Sequence, residues 1–327
     1  MSAISKKELS KFILGAISIR EEDGWIRFSR FTEKQGVWLE QHGFPRDRYS
    51  TSGMRLEFLT RGGKISFEYQ AEQSTNGNVA IFGMEITVDG IPAYHIYKEA
   101  LPVSDRIDFE MPEHCDYVHV AVYFPLRATL KIKNVVIPDD SKEVNKELKI
   151  LTLGDSITAG AVCRHSNHCY VNMIADKLNA QLINQGVGGA CFFPDFLEEL
   201  QFCPDIVTVA YGVNDFFANS LFTETPYKFF EKLNALYPTS KIFCLLPIWC
   251  GNQKIVDGKT LGMGRQHIKE IAEKYQNISV IDCVDFVPHL AEFYWDDVNL
   301  HPNDLGFLYY GNHLYKKLTE LLQSMNR

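Results

Sequence analysis

The hydrophobic periodicity of this 327-residue chain changes once, near residue 140, and that change constrains the fold more than any other feature. Before it, segments such as "WIRFSRF", "MRLEFLT", "KISFEYQAE", "AYHIYKE", "RIDFEMP" and "TLKIKNVVIP" alternate apolar and polar residues. Side chains of a strand point to opposite faces in turn, so alternation marks strands with one face on a core. Gly, Asn, Asp and Pro punctuate these runs, and no helical pattern is read between them. The expectation is an antiparallel β-sandwich, jelly-roll-like, over residues 1–140. "RGGK" and "VDGIP" read as hairpin turns.

The charged stretch "PDDSKEVNKE" reads as a linker, and a second domain is expected over 147–327. There the strands become short and wholly apolar: "LKILTLG", "AQLINQG", "DIVTVAYG", "SKIFCLLP" and "ISVIDC". Strands buried on both faces belong to parallel sheets. Helices are expected near 168–179, 225–237, 259–275 and 303–324, between or after these strands. Repeated β-then-α units predict a doubly wound, flavodoxin-like α/β/α layer structure, whose ligands bind beyond the carboxyl ends of the strands.

Composition narrows the partners. A formal net charge of −8 with no Lys/Arg cluster argues against nucleic acid. No apolar window approaches the roughly 18 residues of a membrane helix, and the N-terminus lacks the pattern of a signal peptide. The eight cysteines are scattered, several within apolar runs, and most read as buried free thiols of a cytoplasmic protein. No cofactor is called for, and the sequence leaves homo-oligomerisation open.

The residues following the strands carry the chemistry. "GDSIT" places Ser156 after the first parallel strand, and "NQGVGG" places Gly189 in a turn after the second. "GVND" supplies Asn214, whose amide suits a developing oxyanion. "LHPNDLG" supplies His301, a candidate general base, ahead of a helix opened by Asn303 or Asp304. "CRHSNHC", residues 163–169, packs two Cys and two His into seven positions. Its ligand pairs are too close together for the usual structural zinc pattern, so no metal is expected and the segment reads as a mobile loop at the active-site mouth. Phe192, Phe193, Phe216, Phe217 and Trp249 are candidates for core packing or for pocket walls. In the first domain, His42, His95, His114 and His119 are dispersed and form no catalytic constellation.

The four blocks, in this order, resemble the SGNH or GDSL-type hydrolase superfamily. That resemblance implies Ser156 as nucleophile and His301 as base. It also implies an oxyanion hole made by the backbone N–H groups of Ser156 and Gly189 and the side chain of Asn214. The acid departs from the family pattern, because Val298 stands three residues before His301. Asp297 with a one-residue bulge is the expected acid; Asp296, or a backbone carbonyl orienting His301, are the competing readings. A sandwich ahead of such a domain resembles two-domain bacterial carbohydrate acetylesterases. The expected activity is therefore a serine esterase acting on short acyl esters, with an O-acetylated saccharide as leading substrate. A lipase-like or thioesterase activity, or an inactive carbohydrate-binding protein on this fold, are the alternatives.

Overall fold

A computed structural model describes residues 3–74, 82–295 and 300–325. The chain divides into two compact units. The first comprises Met1–Lys146 with Arg164–Asn167, and the second Glu147–Cys163 with His168–Arg327.

The first unit holds the strands β1 (Ile13–Leu14), β2 (Ser18–Glu22), β3 (Trp25–Ser29), β4 (Arg55–Thr60), β5 (Gly63–Gln73), β6 (Phe82–Val88), β7 (Ile91–Lys98), β8 (Val103–Met111), β9 (Val118–Tyr123) and β10 (Ala128–Val136). They form two antiparallel sheets, ordered β1-β4-β9-β6-β7 and β2-β3-β10-β5-β8. The alternation in sequence explains their shared core: Ile65, Phe67, Tyr69 and Ala71 of β5 and Phe82, Met84 and Ile86 of β6 all point into one apolar cluster. "VDGIP" is the β6–β7 hairpin, with Asp89 and Gly90 both at positive φ as a tight two-residue turn requires. "RGGK" is not a hairpin. β4 pairs with β1 and β9, whereas β5 pairs with β10 and β8, so the chain there crosses between sheets.

Among the described residues two α-helices interrupt this unit, α1 (Lys6–Leu9) and α2 (Glu33–Gln41), where none was read. Helix α2 starts with a reciprocal cap: Thr32 Oγ1 accepts from Gln35 N–H, and Gln35 Oε1 accepts from Thr32 N–H, both at 3.1 Å. The T-x-x-Q signature was present in "TEKQ"; the helix is short and its apolar face weak, so the periodicity gave no signal.

The second unit contains one parallel sheet of β11 (Leu148–Gly154), β12 (Ala180–Gly186), β13 (Ile206–Ala210), β14 (Lys241–Leu245) and β15 (Ile278–Ile281), ordered β12-β11-β13-β14-β15. The connecting and terminal helices are α3 (Tyr170–Lys177), α4 (Val213–Phe217), α5 (Thr225–Leu236), α6 (Leu261–Ala272) and α7 (Asp304–Met325). From β11 the chain steps one way to β12 and then the other way to β13, β14 and β15. Right-handed crossovers therefore put helices on both faces, with α3 packed on α7 and α5 on α6. The reversal of direction at β11 and β13 opens a crevice beyond their carboxyl ends. No helix of the described residues is long and apolar enough to cross a membrane.

The stretch read as a linker is tied down on the first unit. Lys142 bridges to Leu59, and Asp140 accepts from Thr60 Oγ1 at 2.6 Å. Lys146 Nζ reaches Glu57 Oε1 at 2.5 Å. Glu57 is fully buried and also meets Arg55 and, at 2.6 Å, His119 Nε2. Burial pushes this carboxyl up, but Arg55, His119 and Lys146 together hold it down at about 2. A depressed acid stabilises the fold above its unfolded value near 4.5 and loses that contribution as pH falls toward 2. Glu57→Gln, which strands buried cations, is expected to cost about 3–5 kcal/mol in urea unfolding at pH 7. The difference from wild type should shrink steadily between pH 4.5 and pH 2, and a pH-independent difference would contradict the assignment.

Candidate active site

The site begins with a row of residues that have little or no side chain. In the sheet register Gly154 of β11 lies opposite Gly186 of β12 and Ala210 of β13. A Cβ on Gly154 would fall 2.0 Å from Thr158 Oγ1, and one on Gly186 would fall 2.6 Å from Ala159 N. The turn bearing Ser156 can thus fold back onto the strand ends only because both residues are glycine. It closes with Ala159 N–H donating to Asp155 O and Ala161 N–H to Ser156 O, at 3.0 and 2.8 Å.

Two side chains hold this turn. Asn184 of β12 donates through Nδ2 to Thr158 O at 2.9 Å, and Thr158 Oγ1 meets the Tyr170 hydroxyl of α3 at 2.8 Å. Sequence reading did not single out Asn184, although it stands in the quoted "LINQG" two residues before the strand's terminal glycine. A buried amide with both ends bonded was the property to look for, and it depends on partners outside its own segment. Asp155 is buried, accepts from Ile157 N–H at 2.9 Å, and is pushed up to about 6 by desolvation against the opposing influence of that bond and of His301.

Ser156 and His301 come together from opposite ends of the unit. Ser156 Oγ lies 2.7 Å from His301 Nε2, and both residues are half-buried. His301 is presented by paired backbone: Trp295 N–H donates to His301 O at 2.9 Å and Asn303 N–H to Phe293 O at 3.0 Å. Asn303 then caps α7, its Oδ1 accepting from Gly306 N–H at 3.1 Å. Asp296 and Asp297, the competing candidates for the acid, lie outside the described residues.

Gly189 is exposed and sits at φ +80° in the turn after β12, a conformation suited to glycine. That turn is fastened to the segment after β13 by neighbouring side chains. Asn214 Nδ2 donates to Ala190 O at 3.0 Å, and Asp215 Oδ1 accepts from Phe192 N–H at 3.0 Å. An amide has two N–H donors, so Asn214 can hold this turn and still present one to a ligand. Phe192 and Phe216 are core residues, Phe192 packing on Tyr211, Phe229 and Phe230. Phe193, Phe217 and Trp249 keep partial exposure. An apolar hollow lined by Asp155, Ile157, Val213, Trp249 and Leu300 contacts residues flanking Ser156 and His301 but neither of those side chains, so it belongs to the layer supporting the site.

Asp215 was part of the quoted "GVND" but was assigned no role. Desolvation pushes it up to about 7 from an ordinary 3.8, against the lowering effect of the Phe192 N–H bond. A raised acid favours the fold while protonated and loses that advantage as pH rises from about 4 to about 7. Asp215→Asn keeps the acceptor without the charge. Its stability relative to wild type is expected to rise across that window by on the order of 2–4 kcal/mol, read from denaturant midpoints. Asp215→Ala, which strands the Phe192 N–H, should instead cost about 1–3 kcal/mol.

Known structures share this architecture. A salicylyl-acyltransferase, SsfX3, from a tetracycline biosynthetic pathway superposes with a TM-score of 0.81 at 18% identity, covering 94% of each chain. A family two carbohydrate esterase from Clostridium thermocellum, in complex with cellohexaose, does so at 0.63 and 15% identity, covering 95% of this chain and 99% of its own. An acetyl xylan esterase from Butyrivibrio proteoclasticus gives 0.59 at 15% identity, covering 93% and 97%. At these identities the likeness establishes a common fold. No curated protein sequence matches the chain. Residues 152–307, which contain the whole Ser156–His301 arrangement, match the GDSL-like lipase/acylhydrolase family. The second unit thus resembles that family over these residues, and the chain is an ester hydrolase.

Proposed function

We propose that the chain is a serine esterase that removes short acyl groups, acetyl above all, from a saccharide through an acyl-enzyme on Ser156. The observation that carries this reading is the 2.7 Å contact between Ser156 Oγ and His301 Nε2 at the carboxyl edge of the sheet. His301 takes the Ser156 proton as Oγ attacks the ester carbonyl, and the carbonyl electrons move onto oxygen. The N–H groups of Ser156 and Gly189 and the amide of Asn214 stabilise that oxyanion. The alcohol departs with the proton held by His301, and water then repeats the sequence to release the acid and restore Ser156. Asp297 orients His301 in this mechanism. The saccharide is favoured by the likeness to esterases that carry cellohexaose or are named for acetyl xylan. A second reading, transfer of the acyl group to an alcohol in place of water, is favoured by the likeness to the salicylyl-acyltransferase.

Wild-type protein should form a fluorophosphonate adduct at Ser156 and turn over 4-nitrophenyl acetate, and Ser156→Ala should do neither. Asn214→Ala should lower kcat by about 10²–10³, the usual loss for one oxyanion donor. An adduct on another residue, or Ser156→Ala turnover equal to wild type, would remove the proposal. Activity falling with acyl length from acetate to octanoate supports a deacetylase; the reverse order supports a lipase-like enzyme. Acyl transfer to an added alcohol at the expense of free acid selects the second reading. For the acid, Asp297→Asn should lose activity and Asp296→Asn keep it, the opposite result reassigning the role.

A further inference from the structure

The segment Arg164–Asn167, expected as a mobile loop, is part of the first unit and lies on the outer face of its β6–β7 hairpin. Phe82, Met84 and Ile86 take the inner face of β6, so Gly83 and Glu85 point the other way. On β7, Tyr97 pairs with Gly83 and His95 with Glu85, directly opposite one another. The segment covers that face closely. A Cβ on Gly83 would stand 2.0 Å from Arg164 O, and Ser166 Oγ donates to Gly83 O at 3.1 Å. Beneath it Glu85 is 1% exposed.

This cover brings a third donor to the cross-strand pair. His165 Nδ1 lies 2.6 Å from Glu85 Oε1, and the His165 and His95 rings stack at 4.3 Å. One ligand atom from each of Glu85, His95 and His165 lies within 4.8 Å of the others. Asn167 N–H lies 3.4 Å from Glu85 Oε2, and its side-chain carbonyl is buried with no hydrogen-bond partner. Two imidazoles and a carboxylate, converging from three parts of the chain, are a donor set for zinc, which binds His nitrogen at about 2.0–2.1 Å and carboxylate oxygen at about 2.0–2.2 Å.

We infer that Glu85, His95 and His165 bind one Zn²⁺ ion, completed by water, which fastens the segment between Ser156 and α3 to the β6–β7 hairpin. The cysteines of "CRHSNHC" take no part: Cys163 and Cys169 are buried, and Cys163 Sγ donates to Asp304 Oδ1 at 3.6 Å. His95 is exposed, which gives the ion a way in.

The test uses the full chain, stripped with a chelator and titrated with zinc chloride in a calorimeter. One equivalent should bind, and its binding should raise Tm. Removing a ligand should weaken affinity at least as much as removing an outer-shell partner does, about 10–100-fold, so His95→Ala should lose that much and its Tm should ignore zinc. Should His95→Ala fail to fold by circular dichroism, His95→Gln replaces it with the same expectation. Cobalt-substituted protein should show ligand-field bands without thiolate charge transfer. Wild type that binds no zinc, His95 variants that bind it as well as wild type, or a thiolate band each overturn the site. In those cases Glu85–His165 is a hydrogen-bonded pair and nothing more. Neither result bears on the Ser156 chemistry, which the fluorophosphonate adduct reports separately.

Discussion

Everything at the candidate active site depends on how closely the Ser156 turn can approach the sheet. That approach is permitted by the missing side chains at Gly154 and Gly186, which face each other across β11 and β12. A methyl at either position would meet Thr158 or Ala159 well inside van der Waals contact. With the turn seated, Asn184 holds Thr158 from the neighbouring strand, and Ser156 Oγ comes within hydrogen-bond distance of His301, which the start of α7 carries back to the same edge. A parallel sheet brings its strand ends into one row, so a few backbone hydrogen bonds fix the relative positions of residues far apart in the chain.

The two units treat buried charge differently. In the sandwich, Glu57 is surrounded by Arg55, His119 and Lys146 and stays ionised into strong acid. Next to the candidate site, Asp155 and Asp215 are buried with backbone N–H donors and no adjacent Lys or Arg among their named partners, and both are pushed up. The first arrangement fixes the linker and so contributes to stability. The second accepts a cost in stability near neutral pH to hold the Ser156 turn and the 190–192 turn in place. Perturbed carboxyls of this kind concentrate where function sets the geometry.

Much of this was legible in order along the chain. Alternation predicted the sandwich, apolar runs predicted the parallel sheet, and the four helices expected in the second half stand within a few residues of their predicted bounds. Ser156, Gly189, Asn214 and His301 were each visible as the polar or glycine residue after a strand or before a helix. Asn184 and Asp215 were not, because each acts through a backbone group of another segment. Helix α2 was missed for a different reason: its cap was written in "TEKQ", but nine residues with a weak apolar face carry little periodicity.

The sequence by itself determined which residues face inward, where strands and helices alternate, and which side chains stand at element ends, since each of these follows from local spacing. Only the tertiary structure decided that "RGGK" crosses between sheets, that His95 stands opposite Glu85, and that Arg164–Asn167 leaves the second unit to cover them. Those outcomes rest on pairing between distant segments. One strand can satisfy its backbone hydrogen bonds with any partner of compatible pattern, so its own sequence does not name the partner.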